Sequence, residues 1–163
     1  MSDLESSPKV VFDCNVFLQA AANSTGPAAA CVDYAQRGKL RLIVHPTMLA
    51  EFRNVASRPK VATKLALNPG IVDAFVDDLM SHATLVAHVP AVFAHPTDPK
   101  DDIYVNVAVA MGASIITTRD FHLLDLVDPA RPESVPFRER FPGLDIITPV
   151  QLLMRLRQAN DNH

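Results

Sequence analysis

Short apolar runs bounded by polar residues punctuate this chain, and two of them, KVVF at 9–12 and RLIV at 41–44, have the form of strands buried on both faces of a parallel sheet. Further strands fit 84–89, 114–117 and 145–147. Between them lie segments with helical periodicity at 27–37, 46–57, 69–82, 99–111 and 149–159, and a shorter one at 61–67. Pro27, Pro46, Pro69, Pro99 and Pro149 each open one of these segments, where a missing N–H costs nothing because the first helical turn has no partner for it. Asn68 and Thr148 add a capping side chain directly before the proline. This alternation predicts an α/β fold: one domain over 1–163, its core at about 9–157, with a mostly parallel, twisted sheet of about five strands covered by helices on both faces. Residues 128–143, with four prolines and three arginines, read as an ordered excursion or a mobile loop.

Composition narrows the class. Apolar residues make up 48% of the 163, which excludes a disordered linker and is enough for a substantial core. With two cysteines, no basic-then-apolar leader and no apolar run long enough for a membrane span, the expected setting is a reducing cytoplasm. The glycine-rich phosphate loops and the GxSxG elbow are absent, so nucleotide binding of the usual kinds and acyl transfer lack support. The six histidines show no HExxH or HxH pair, which removes the usual zinc spacings. Cys14 has no evident histidine partner and reads as a packed thiol.

Acidic residues carry the chemistry. Asp13 follows KVVF, Glu51 lies beyond RLIV, Asp101 follows a proline turn, and Asp120 follows SIITT. In open α/β sheets the carboxyl ends of the strands form a crevice, so acids far apart in sequence can meet there. Each has a plainer reading: Asp13, Asn15 or Asp120 as a helix cap, Asp98 as the cap before Pro99, Glu51 as a solvated helix residue. Periodicity separates the neighbours in the DPKDD run, since Asp101 shares a face with Val105 and Ala108 and should point inward, whereas Asp102 lies one turn before Asn106 and should point outward. On 46–57, Leu49, Phe52 and Val55 mark the buried stripe, with Glu51 at its border. Thr118 offers a hydroxyl to a carboxylate or a metal-bound water. Carboxylates gathered this closely repel one another unless a cation joins them, and all-oxygen donors suit Mg²⁺ or Mn²⁺, as one ion or two.

At these residues the chain resembles the PIN-domain family, metal-dependent ribonucleases that include the VapC-type toxins of bacterial toxin–antitoxin pairs. The matching stretches are VVFDCNVFL at 10–18, HPTMLAEFRNVASRPK at 45–60, DPKDDIYVNVAVAMGASIITTRDFHLL at 98–124 and DIITPVQLL at 145–153. The resemblance implies a PIN-like domain whose metal-binding and catalytic acids are Asp13, Glu51, Asp101 and Asp120, supported by Asn15 and Thr118, with Asp98 and Asp102 as further supporting groups. It implies RNA as substrate, a small antitoxin as inhibitor and a homodimer, and the lack of a long apolar run adds the expectation of no membrane. The chain particularly resembles the subgroup of PIN toxins that carry a DPxDD segment and an SRPK-like segment, and two departures stand out: Arg119 where that subgroup is expected to carry a small residue, and the long 128–143 segment.

The expected reaction is hydrolysis of an RNA phosphodiester by in-line attack of an activated water. Arg53, Arg58, Lys60 and Lys64 occupy a stretch, 52–66, without any acid, and with Arg119 they form the candidate RNA-binding set, a solvated helix face being the plain alternative. With no tryptophan and two tyrosines, recognition is expected to lean on RNA shape and backbone rather than on stacked bases. Two alternatives remain open: a phosphatase of the haloacid-dehalogenase type, which needs an aspartate where this chain has Asn15, and a non-catalytic PIN-like module that binds RNA or protein. The formal charge of −3 does not discriminate, because the four acids outweigh it and the rest of the chain sums to +1.

Overall fold

A computed structural model describes residues 7–162, and at its centre five strands run parallel in the order β3-β2-β1-β4-β5. They are β1 (Lys9–Phe12), β2 (Arg41–Val44), β3 (Thr84–Leu85), β4 (Ile115–Thr117) and β5 (Asp145–Ile147). Register places Val10 beside Leu42 and Ile115, and Val11 beside Ile43 and Ile116, so alternate positions across the sheet share a face. Val10, Phe12, Leu42, Val44, Ile115 and Ile147 belong to one buried cluster, and Val11, Ile43, Ile116 and Ile146 to the other. Apolar residues at consecutive strand positions are thus explained by burial on both sides, the three-layer arrangement expected of parallel strands.

The first face is covered by α1 (Cys14–Ala22), α2 (Pro27–Gln36), α3 (Pro46–Ala56), α5 (Pro69–His82) and α9 (Pro149–Asp161), with the short α4 (Pro59–Leu65) at its margin. Phe17 of α1 lies 6.1 Å from Phe12, 6.1 Å from Phe52 and 6.2 Å from Phe75, ring centre to ring centre, which ties three helices and β1 together. The second face takes α6 (Asp102–Met111), α7 (Phe121–Leu124), the 3-10 turn Asp125–Val127 and α8 (Ser134–Arg140). Asn68 and Thr148 cap α5 and α9 as expected, through bonds from Ile71 N and Gln151 N.

Several boundaries differ from the sequence expectation. Strand 84–89 ends at Leu85, with one further bond from Val86 N to Val44 O; His88 then takes a left-handed φ of 58° and Pro90 has no N–H to give, so the chain leaves the sheet. The segment 99–111 divides into a 3-10 turn, Pro99–Asp101, and α6. The short helix at 61–67 starts two residues earlier, at Pro59, and stops at Ala66, which is left-handed with φ 53°. On α3 the fully buried line is Met48, Phe52 and Ala56, with Leu49 and Val55 only partly buried beside it. Residues 128–143 are an ordered excursion: α8 buries Phe137, which packs with Phe93 and Phe141 at 5.5 and 5.2 Å.

Strand order fixes where a site can form. The chain moves outward from β1 through β2 to β3, then crosses back to place β4 on the other flank of β1. The carboxyl ends of β1 and β4 therefore border the reversal point, where helices depart in opposite senses and leave a crevice. Asp13 and Thr118 stand at those two ends.

Candidate metal centre

Asp13 is the first residue past β1 and is buried, with its own N–H bonded to Thr117 O at 3.1 Å. Its Oδ1 accepts from Val16 N at 2.9 Å, so it does cap α1, while its Oδ2 accepts from the Thr118 hydroxyl. Thr118 Oγ1 in turn accepts from Asp120 N at 2.9 Å, and one hydroxyl thereby fixes the two strand-end acids relative to each other. Burial pushes the Asp13 carboxyl up to about 6, opposed by these hydrogen bonds and assisted by the charges of Asp120 and Glu51.

Asp101, at the end of the proline turn, points inward and is 6% exposed. Its Oδ2 is sealed from water and has no hydrogen-bond partner. Burial, then the charges of Asp120, Asp98, Asp13 and Glu51, raise its carboxyl to about 7. One oxygen each from Asp98, Asp101 and Asp120 lie within 4.8 Å of one another. Asp98 Oδ1 accepts from Lys100 N at 3.1 Å and Asp120 Oδ1 from His122 N at 2.9 Å, so each caps its own turn as well as facing Asp101.

Glu51, half-buried on α3, is held from across the crevice: Tyr104 donates its hydroxyl proton to Glu51 Oε2 at 3.0 Å and accepts from Cys14 N at 3.1 Å. Burial, together with the nearby Glu51 and Asp13, drives the Tyr104 phenol well above its ordinary range, which keeps it a donor. Burial likewise pushes the Cys14 thiol up to about 12, and a thiol so raised is not a nucleophile. Asp13 and Glu51 stand outside the 4.8 Å trio, yet both act on Asp101 through their charges.

Hard oxygen donors, a buried carboxylate oxygen with no partner and mutual repulsion are what a small divalent cation relieves, so the residues present fit Mg²⁺ or Mn²⁺. The histidine at hand is already engaged: His95 Nδ1 accepts from Thr97 N and Asp98 N at 3.1 and 3.0 Å, and Nε2 bonds His122 O at 2.7 Å.

The remaining sequence candidates are placed as follows. Asp102 turns away from the trio, and its Oδ1 accepts from His95 N at 2.6 Å. Its partner one turn on, Asn106, is buried rather than outward, and its Oδ1 accepts from Val92 N and Phe93 N at 3.0 and 2.9 Å. Both were expected on an outward polar face; they are polar because they hold the backbone of the 86–98 arm. Asn15 is exposed in the first turn of α1. Arg53 is paired with Asp73 of α5, an acid outside the 52–66 stretch, and this withdraws it from the free basic set. Arg58 lies close enough to lower the Cys14 thiol, and Lys60 and Lys64 are exposed on α4. Sequence reasoning did not single out Tyr104 or His95; the first hides in an apolar helical run, and the second joins a local turn at Thr97 and Asp98 to the distant His122 carbonyl.

The family model described as PIN domain matches residues 9–122, a span that holds Asp13, Glu51, Asp98, Asp101 and Asp120 and more than half of the chain. No curated protein matches it.

Proposed function

The chain belongs to the PIN-domain family, whose fold is of the nuclease type, and from that premise we propose that it is an endoribonuclease dependent on Mg²⁺ or Mn²⁺. The observation that carries the proposal is Asp101: a buried carboxylate, one oxygen unpartnered, with Asp98 and Asp120 close by. Asp98, Asp101 and Asp120 would hold the cation, with Asp13 joining them through the Thr118 bridge. Bound there, such a cation would supply Lewis acidity, making water more acidic and offsetting negative charge at the phosphate. Glu51, whose Oε2 accepts from the Tyr104 hydroxyl, would accept the proton of the attacking water. The new P–O bond forms as the bond to the leaving oxygen breaks, and that oxygen takes a proton from solvent.

The finer reading, a toxin of a bacterial toxin–antitoxin pair working in the cytoplasm as a homodimer, rests on the family resemblance. Among the described residues no helix is long and apolar enough to cross a membrane. An open pocket of about 460 Å³ bordered by α1, α2 and α5, its wall mixing Ala20, Ala29, Ala30 and Phe75 with Asp33, Gln36 and Asp78, is where a small antitoxin would dock on the early helices. A phosphatase acting through Asp13 is disfavoured because that chemistry needs an aspartate two positions on as acid and base, where this chain has Asn15. A purely binding module gives no reason for the unpartnered Asp101 oxygen.

The test is purified protein on a panel of RNAs with Mn²⁺, Mg²⁺ or EDTA, beside Asp13→Asn. Cleavage that needs the cation and falls by about 10- to 100-fold or more in the variant supports the proposal, by the usual effect of disturbing groups around a metal. Cation-independent cleavage equal in both proteins contradicts it.

A further inference from the structure

We infer that Arg119 and Phe121, the residues on either side of Asp120, form a grip for single-stranded RNA in which Phe121 stacks on an unpaired base and Arg119 engages a neighbouring phosphate. The inference rests on the ribonuclease reading and names its substrate class.

Phe121 is 78% exposed, the most exposed large apolar side chain among the described residues. Burial of α7 does not require it, since Leu123 is the residue of that helix sealed in the second core. Phe121 is carried on a fixed turn, because the Asp120 carboxylate accepts from His122 N and closes the backbone there. It therefore stands beside an acid whose oxygen lies within 4.8 Å of those of Asp98 and Asp101. An aromatic ring presented to water next to a phosphodiester-cleaving site has the chemistry of a stacking platform, because every base offers a π-face.

Arg119 supplies an independent observation. It is exposed and makes no ion pair among the described residues, in contrast to Arg53 with Asp73. It lines a pocket of about 260 Å³ with Gln19, Asn23 and Thr148, which lies past the carboxyl ends of β4 and β5. An unpaired guanidinium at a pocket whose wall sets Gln19, Asn23 and Thr148 beside apolar Pro27, Ala28, Pro149 and Val150 suits a phosphate. Single strands are favoured over duplex because a paired base is already stacked on its neighbours, whereas duplex RNA is read through its backbone and 2′-hydroxyls without a ring. The proposal departs here from the expectation that recognition leans on RNA shape and backbone rather than on stacked bases.

The experiment uses the full chain, a fluorescein-labelled 12-nucleotide single-stranded RNA and the same RNA with one abasic site. Binding is read by anisotropy in EDTA and cleavage with Mn²⁺. Phe121→Ala and Phe121→Leu should each raise Kd and KM about fivefold or more, the low end for losing one stacked base, while Phe121→Trp keeps wild-type values. The abasic RNA should erase the difference between wild type and Phe121→Ala. Arg119→Ala should weaken binding and lower the slope of log Kd against log salt by about one. The thermal shift induced by Mn²⁺ should be the same in all these proteins. Leucine serving as well as phenylalanine, or Phe121→Ala binding RNA normally, overturns the grip; if wild type still cleaves, the ribonuclease reading survives it. A wild type that binds through Phe121 without ever cleaving leaves the grip standing and removes the ribonuclease. Unchanged RNA binding with loss of self-association in Phe121→Ala assigns the ring to a protein contact and overturns the grip.

Discussion

Thr118 holds the strand-end acids together with a single hydroxyl that donates to Asp13 and accepts from Asp120 N. Thr118→Val keeps the shape and removes both bonds, leaving a buried carboxylate short of a donor. The expected loss is about 1–3 kcal/mol, measured by urea unfolding of the metal-free protein. Tyr104→Phe separates structure from chemistry in another way, because its hydroxyl serves both Glu51 and Cys14 N. If Glu51 accepts the water proton, kcat should fall while KM for RNA stays; a change in KM alone would remove Glu51 from that role. At this scale the strand-end acids were legible because an apolar run that stops at Asp announces its own geometry. Asp102 and Asn106 were misread for the opposite reason: their partners, His95, Val92 and Phe93, lie in a stretch without periodicity.

That stretch is the least legible part of the fold, yet it positions Asp98. Between β3 and the turn at Pro99 the chain is pinned by Asn106 to Val92 and Phe93, by Asp102 to His95, and by His95 to both Asp98 N and the His122 carbonyl. Phe93 also sits against Phe137 and Phe141, which is how the proline-rich segment 128–143 becomes ordered. Apart from the short turn from His95 to Asp98 N, these ties reach residues beyond the arm, so no pattern within it could announce them. Asn106→Leu leaves two N–H groups without their acceptor and should speed hydrogen exchange across 91–98 while β1 and β4 keep wild-type protection. Equal exchange in the variant would mean that the arm is held by its aromatic contacts alone. Helices α5 and α9, by contrast, were legible to within a residue or two, because Asn68-Pro69 and Thr148-Pro149 carry their start signals in adjacent positions.

For the molecule as a whole, the strand order β3-β2-β1-β4-β5 brings acids from four separate segments to one crevice, and the metal-free protein bears the electrostatic cost. The unfolded chain titrates Asp13 and Asp101 near 3.8, whereas the folded one raises them to about 6 and about 7. The folded state thus holds more protons between those values, so the contribution of these groups to stability is full below about pH 4 and declines as pH rises through 6 to 7. Without metal, the thermal midpoint should be lower at pH 8 than at pH 5.5, and a saturating dication should restore more at pH 8 than at pH 5.5. The parallel α/β architecture was readable from alternating apolar runs and helices, but which oxygens converge depended on how α3, α6 and the arm dock, and that is settled by long-range packing.

The most direct test is a thermal-shift titration with Mn²⁺ at pH 8 of the wild type and Asp101→Asn. The wild type should gain stability with Mn²⁺ concentration, by about 2.7 kcal/mol at a hundred times Kd. Asp101→Asn, freed of the buried charge, should melt higher than the metal-free wild type and lose the Mn²⁺-dependent gain. A wild type indifferent to Mn²⁺, or a variant that responds as strongly, would contradict a metal centre built on Asp101.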